Sequence, residues 1–193
     1  ERAARESGIA ANIQVSPDPE VVRQAERIVL PGVGAFTDCR DGLKAVPGMW
    51  EALEDQVQER VKPFLGICVG MQLLADRGLE FVTTDGFGWI GGDVCKIEPD
   101  DDACKIPHMG WNTIDPVRPH PVLDGIKTGA DGAHAYFVHS YAMAPVDAPF
   151  VAATTNHGQA IPAVVWQGNI YGTQFHPEKS QDIGLELLKN FVE

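Results

Sequence analysis

The chain has 193 residues, 44% of them hydrophobic, which is enough for one well-cored domain. A formal net charge of −12 argues against nucleic-acid and anionic membrane partners, and no apolar run is long enough to span a bilayer. Cys39, Cys68, Cys95 and Cys104 show neither CxxC nor zinc-finger spacing, so reduced thiols in a cytoplasmic protein without metal or cofactor are expected.

In chain order, ANIQV (11–15) reads as a strand. SPDPEVVRQA (16–25) reads as a helix entered through Ser, Asp and Pro start signals. RIVL (27–30) is a buried strand that ends at a PGVG loop, and a helical stretch follows around Met49 to Arg60. PFLGI (63–67) reads as another buried strand. VGMQLLADRG (69–78) has helical spacing and a glycine stop. This alternation predicts an α/β fold of three layers, a mostly parallel sheet flanked by helices, with functional loops at the C-terminal ends of strands. After Asp85 the character changes to short strand-like runs: DVCKIE, AYFVHSYAM, FVAATT, AIPAVVW and NIYGTQF. They predict antiparallel hairpins added at one side of the sheet. A helix over roughly 181–192 closes the chain. GFGWIG (86–91) fits a dinucleotide-binding glycine pattern, but no helix follows it, so its glycines read as turns.

Two short motifs carry the chemistry. In GICVGMQ (66–72), Cys68 sits where a strand turns into a helix, with Gly66 and Gly70 relieving the crowding of a sharp turn. A thiol beside a helix N-terminus favours thiolate, and the Val69 N–H could donate to a developing oxyanion. In QFHPEKS (174–180), His176 precedes Pro177, which keeps it extended and leaves Glu178 on the same side. An imidazole that takes a thiol proton while a carboxylate holds its other nitrogen suits nucleophilic catalysis. The remaining histidines, His108, His120, His134, His139 and His157, have no carboxylate two residues on and read as structural, the second and third of these lying in loops.

These motifs resemble the class I (triad) glutamine amidotransferase family: GICVGMQ is similar to its nucleophile elbow, FHPE to its His-Glu pair. PGVGAF (31–36), KIPHMGWN (105–112) and HPEKSQ (176–181) resemble the branch formed by glutaminase subunits of imidazole glycerol phosphate synthases. The likeness runs over essentially the whole chain and implies a single flavodoxin-like domain over 1–193. It implies Cys68 as nucleophile, His176 and Glu178 as its proton-handling pair, and Val33 and Val69 as backbone oxyanion donors. Gln72, Glu80, Ser140 and Tyr141 would hold glutamine. Ammonia would pass to a (β/α)8-barrel cyclase in a heterodimer, which forms imidazole glycerol phosphate and an aminoimidazole carboxamide ribotide for histidine biosynthesis. Trp111 and Lys179 are expected on the face toward that partner. Family members open with a strand and a glycine-rich turn. Here ERAARESG (1–8) reads as the second half of the helix after that turn, so the first strand is not in this sequence. The alternative is another cysteine hydrolase on a similar fold, of the DJ-1-like or γ-glutamyl hydrolase groups; DJ-1-like elbows carry histidine directly after the cysteine, where this chain has Val69. An intact triad argues against a catalytically dead scaffold.

Overall fold

The computed structural model describes residues 2–6, 8, 12–101 and 103–193. Six α-helices are described: α1 (Arg2–Glu6), α2 (Pro19–Gln24), α3 (Phe36–Ala45), α4 (Met49–Glu54), α5 (Val69–Gln72) and α6 (Gln181–Val192). The strands are β1 (Ile28–Gly32), β2 (Phe64–Cys68), β3 (Arg77–Gly78), β4 (Thr84–Asp85), β5 (Gly92–Lys96) and β6 (His108–Thr113). They continue as β7 (Asp115–Pro116), β8 (His134–His139), β9 (Tyr141–Pro145), β10 (Val151–Asn156), β11 (Ala160–Gln167) and β12 (Ile170–Thr173).

The main sheet has six strands in the order β1-β2-β12-β11-β10-β7. It is parallel where β2 lies between β1 and β12, and antiparallel from β12 outward. A strand paired on both sides and covered on both faces wants an unbroken apolar run, and every residue of β2 is buried. The antiparallel half matches the expected hairpins. A four-stranded sheet, β4-β3-β5-β9, and a two-stranded ribbon of β6 and β8 lie beside it. α1 packs on α6, and α2 on α4.

Three local expectations need correction. Residues 12–15 form no strand, and Ala11 lies outside the described residues. Val15 is fully exposed: the composition suits a strand, but a strand exists only against a partner edge, and none among the described residues meets it. The helix after Cys68 ends at Gln72 instead of running to Gly78. The carbonyls of Leu73, Leu74 and Ala75 accept N–H bonds from Phe87, Ile90 and Gly88, so the GFGWIG segment takes over the groups that another helical turn would use. Phe87 also stacks between Trp50 (4.0 Å) and Trp89 (4.1 Å), which docks that segment on α4. Finally, His134 opens β8 rather than lying in a loop. Helix α3, which sequence periodicity left unassigned, follows the PGVG loop directly.

Candidate active site

β2 delivers Cys68 to a sharp elbow. Its φ of 54° and ψ of −112° lie outside the regions that L-residues favour, which is the strain expected of a residue presented at a turn tip. The surrounding backbones pack with no room for side chains. A Cβ on Gly70 would fall on the Leu30 carbonyl, and one on Gly66 would fall on the Gly70 carbonyl. With only four residues in α5, aligned peptide dipoles give limited support to a thiolate, so neighbouring side chains matter more.

The base arrives from the other side of β2. Past β12, the Gln174 N–H donates to the Ala163 carbonyl (2.9 Å), and the His176 N–H donates to the Tyr136 carbonyl (3.0 Å). Residues Pro177–Lys179 then form a 3-10 turn, where an extended segment was expected. The turn still brings Glu178 Oε1 to 2.8 Å from His176 Nδ1. That leaves Nε2 as the nitrogen free to serve Cys68, the neighbour with the largest influence on the imidazole. Together the Cys68 and Glu178 hydrogen bonds push the His176 pKa up to about 9 against the opposing effect of burial. Burial works to raise the Glu178 pKa, but the bond to His176 and nearby positive charge hold it below the ordinary value. The ring is therefore an imidazolium at neutral pH, set between a carboxylate on one side and the Cys68 sulfur on the other.

Ser180 clamps this turn. Its buried hydroxyl donates to the His176 carbonyl (2.6 Å) and accepts the Tyr136 N–H (2.9 Å). Sequence reasoning missed it, and the only available signal was a serine closing the HPEKS motif.

A model of class-I glutamine amidotransferases matches residues 2–193. The chain belongs to that family. The imidazole glycerol phosphate synthase subunit HisH of Agrobacterium fabrum is 57% identical over 192 residues, covering 100% of this chain and 89% of the relative. The same subunit of Rhizobium meliloti is also 57% identical over 192 residues, with the same coverage. Among solved structures, a glutamine amidotransferase superposes with a TM-score of 0.70 at 18% identity, over 99% of this chain and 91% of that one. The α/β fold is thus that of the class-I glutamine amidotransferases.

In this class-I amidotransferase the other expected site residues cluster unevenly. Gln72 is buried below Cys68 and donates through Nε2 to the Tyr141 carbonyl (2.9 Å) and to Gln174 Oε1 (3.1 Å). Gln174 Nε2 in turn lies 3.8 Å from Cys68 Sγ. Ser140 is partly buried and accepts the Ile97 N–H (3.0 Å) through its carbonyl. Glu80 Oε2 accepts the Phe36 N–H (2.9 Å), so it caps α3 just after the PGVG loop. Val69 is buried beside the thiol, whereas Val33 is 75% exposed at the loop tip. Its carbonyl accepts the Cys39 thiol (3.4 Å), and Gly34 holds a φ of 110°.

His108 and His139 form a buried pair behind the elbow, with His108 Nδ1 and His139 Nε2 3.0 Å apart. Burial, then mutual charge, pushes His108 down to about 3, and burial pushes His139 down to about 4. Both rings are therefore neutral.

Trp111 and Lys179 come together on one ring. The Trp111 indole meets Tyr136 edge-on at 5.8 Å, and the Lys179 ammonium lies 5.9 Å from the Tyr136 centroid. Trp111 is 50% exposed and Met109, two residues earlier in β6, is 62% exposed. They make an apolar strip beside the His176 turn, opposite Tyr136 and Val138 of β8.

Proposed function

We propose that this chain is the glutaminase subunit of an imidazole glycerol phosphate synthase, acting in the cytoplasm as one domain. It hydrolyses glutamine to glutamate and ammonia and passes the ammonia to a cyclase. The observation that carries the reading is a cysteine sulfur held at a strained elbow beside an imidazolium whose far nitrogen is held by a carboxylate. The full-length likeness to HisH subunits supports the choice of branch.

In the proposed reaction His176 already holds the Cys68 proton as an imidazolium, and the thiolate attacks the side-chain amide carbon of glutamine. A sulfur–carbon bond forms, and the amide oxygen becomes an oxyanion that the Val69 and Val33 N–H groups would stabilise. His176 returns the proton to the departing nitrogen, the carbon–nitrogen bond breaks, and ammonia leaves. Water then gives a proton to His176 and attacks the γ-glutamyl thioester, which releases glutamate and restores the thiolate. Glu178 holds the imidazole in the orientation needed for both transfers. Both Gln72 donors are engaged within the protein, so its Oε1 is the atom that a substrate N–H would meet. Ser140, Tyr141 and Glu80 complete the glutamine pocket.

The relatives are named as subunits, and a partner subunit is expected here too. The proposed partner is a (β/α)8-barrel cyclase in a heterodimer, docked over the Trp111–Tyr136–Lys179 face. The test is glutamate release from glutamine by the wild-type chain with its cyclase, beside Cys68→Ala. Loss of at least about a thousandfold is expected on removal of the nucleophile. Activity that survives in Cys68→Ala would defeat the assignment.

A further inference from the structure

We propose that Gln174 is a hydrogen-bond donor to the Cys68 thiolate, held in that orientation by Gln72. The proposal rests on the reading of Cys68 as the nucleophile and adds a residue to its activation.

The orientation follows from which atoms can only accept. A backbone carbonyl cannot donate, so Tyr141 O must receive a proton from Gln72, which puts Gln72 Nε2 on that side (2.9 Å). The same nitrogen lies 3.1 Å from Gln174 and carries one more proton, so the Gln174 atom facing it must be Oε1. The Gln174 NH2 group then has to face the sulfur, at 3.8 Å. Gln174 is wholly buried, so water does not compete for these protons.

The far end of the network is fixed in the same sense. His139 Nδ1 lies 3.0 Å from the same Tyr141 carbonyl and must donate to it, which makes His139 Nε2 an acceptor. His108 Nδ1 therefore donates to His139 at 3.0 Å, and Asn112 Nδ2 donates to His108 Nε2 at 3.2 Å. Neutral rings suit this chain, because a protonated histidine would have no acceptor role left. Every donor from Asn112 to Tyr141 and from Tyr141's second partner to the sulfur is thus assigned without conflict.

The chemistry asks for such a donor. The thiol faces the Val138 carbonyl at 4.0 Å, a contact that suits S–H and repels S⁻. Besides His176, Gln174 is the side chain placed to favour the anion. Hydrogen bonds to charged groups are stronger than those between neutral groups, and a long contact to sulfur falls toward the weaker end.

The experiment measures alkylation of Cys68 by iodoacetamide from pH 5 to 10 in the full chain. Labelling is read by peptide mass spectrometry, with Cys95 as internal control. Gln174→Met keeps length and removes the donor, and Gln72→Met leaves Gln174 in place but unfixed. In Gln174→Met the pH of half-maximal Cys68 labelling should move up by about one unit, a roughly tenfold slower reaction at neutral pH. Gln72→Met should move it the same way by less, and Cys95 should not respond. A folded variant of Gln174 whose Cys68 profile overlays the wild type, or moves down, overturns the proposal. Should Gln174→Met not fold, an unmoved profile in Gln72→Met overturns it. Loss of fold in both assigns the pair to packing alone. Alkylation needs no glutamine, so a wild type that releases no glutamate defeats the proposed function while this readout stands.

Discussion

His176 Nδ1 lies 2.8 Å from Glu178 Oε1, across a single 3-10 turn, so the proposed base and its orienter form one unit. Ser180 and Tyr136 bolt that unit to β8. The pair therefore does not depend on a distant loop to assemble.

The two members should fail differently. His176→Ala removes the group that carries the proton and should lower kcat by about a thousandfold or more. Glu178→Gln keeps the shape and the hydrogen-bond acceptor but not the charge, and should cost less. The same pair sets a pH dependence. His176 is raised to about 9, so its contribution to stability is full below the ordinary 6.5 and is lost as pH rises through 9. Glu178 is lowered, so its contribution is present above the ordinary 4.5 and is lost as pH falls. Urea unfolding of wild type and Glu178→Gln should therefore differ most near pH 6, by about 1 kcal/mol, and less at pH 10. A difference that grows with pH would contradict the ion pair.

The elbow gives a second prediction, from two glycines of opposite character. Gly70 has the Leu30 carbonyl where a Cβ would go, while Gly42, inside α3, has nothing within 4 Å. Gly70→Ala should destabilise by about 3 kcal/mol or more and abolish activity, because β1 and the Cys68 turn must part. Gly42→Ala should stabilise by roughly 0.5–1 kcal/mol through helix propensity, with activity intact. Thermal denaturation of both beside wild type reads this directly.

The motifs proposed to carry the triad could be read because the residues of each lie close together in sequence. Cys68 between two glycines and His176-Pro-Glu178 need no knowledge of distant contacts. The central strand β2 was legible for a related reason: burial on both faces leaves an unbroken apolar run. What failed depended on partners far along the chain. The helix after Cys68 stops because residues 86–91 claim its carbonyls, and residues 12–15 lack a ladder partner. Gln174 and Ser180 act through contacts with Cys68 and Tyr136, which lie 106 and 44 residues away in sequence. No periodicity records such pairs.

The proposed docking face carries the third prediction. Tyr136 joins an exposed indole and an ammonium, an arrangement that a folded monomer does not need for its own core. Aromatic and cationic groups of this kind commonly dominate interfaces. Trp111→Ala should weaken cyclase association by about tenfold or more, while the melting temperature of the chain alone stays within about 2 °C. Lys179→Ala should uncouple glutamate release from product formation more than it harms binding. Calorimetric titration with the cyclase checks the first effect, and the ratio of glutamate to cyclised product checks the second. Unchanged affinity and ratio would return both residues to ordinary surface roles.

The final prediction concerns the PGVG loop. An oxyanion needs N–H donors aimed at it, and losing one costs roughly a hundredfold or more in rate. Val69 is buried beside the thiol, but Val33 sits at an exposed tip, its carbonyl tethered to the Cys39 thiol at 3.4 Å. The loop's two glycines differ. Gly32 packs on the elbow, where a Cβ would lie 2.7 Å from the Gly70 nitrogen, so it is fixed by contact rather than free to turn. Gly34 has open space around it and a φ of 110°, so the tip can pivot there and carry the Val33 N–H of the Gly32–Val33 peptide with it. A docked cyclase can bias the loop by no more than its differential affinity for the two arrangements. Glutamate release should therefore be slowest for the chain alone, faster with cyclase, and faster again by about a hundredfold over the first with cyclase and its nucleotide substrate. Gly34→Ala, which strains the turn without filling any contact, should change the stimulated rate and leave Cys68 alkylation near that of wild type. Full activity from the chain alone would remove the gate and leave the triad untouched.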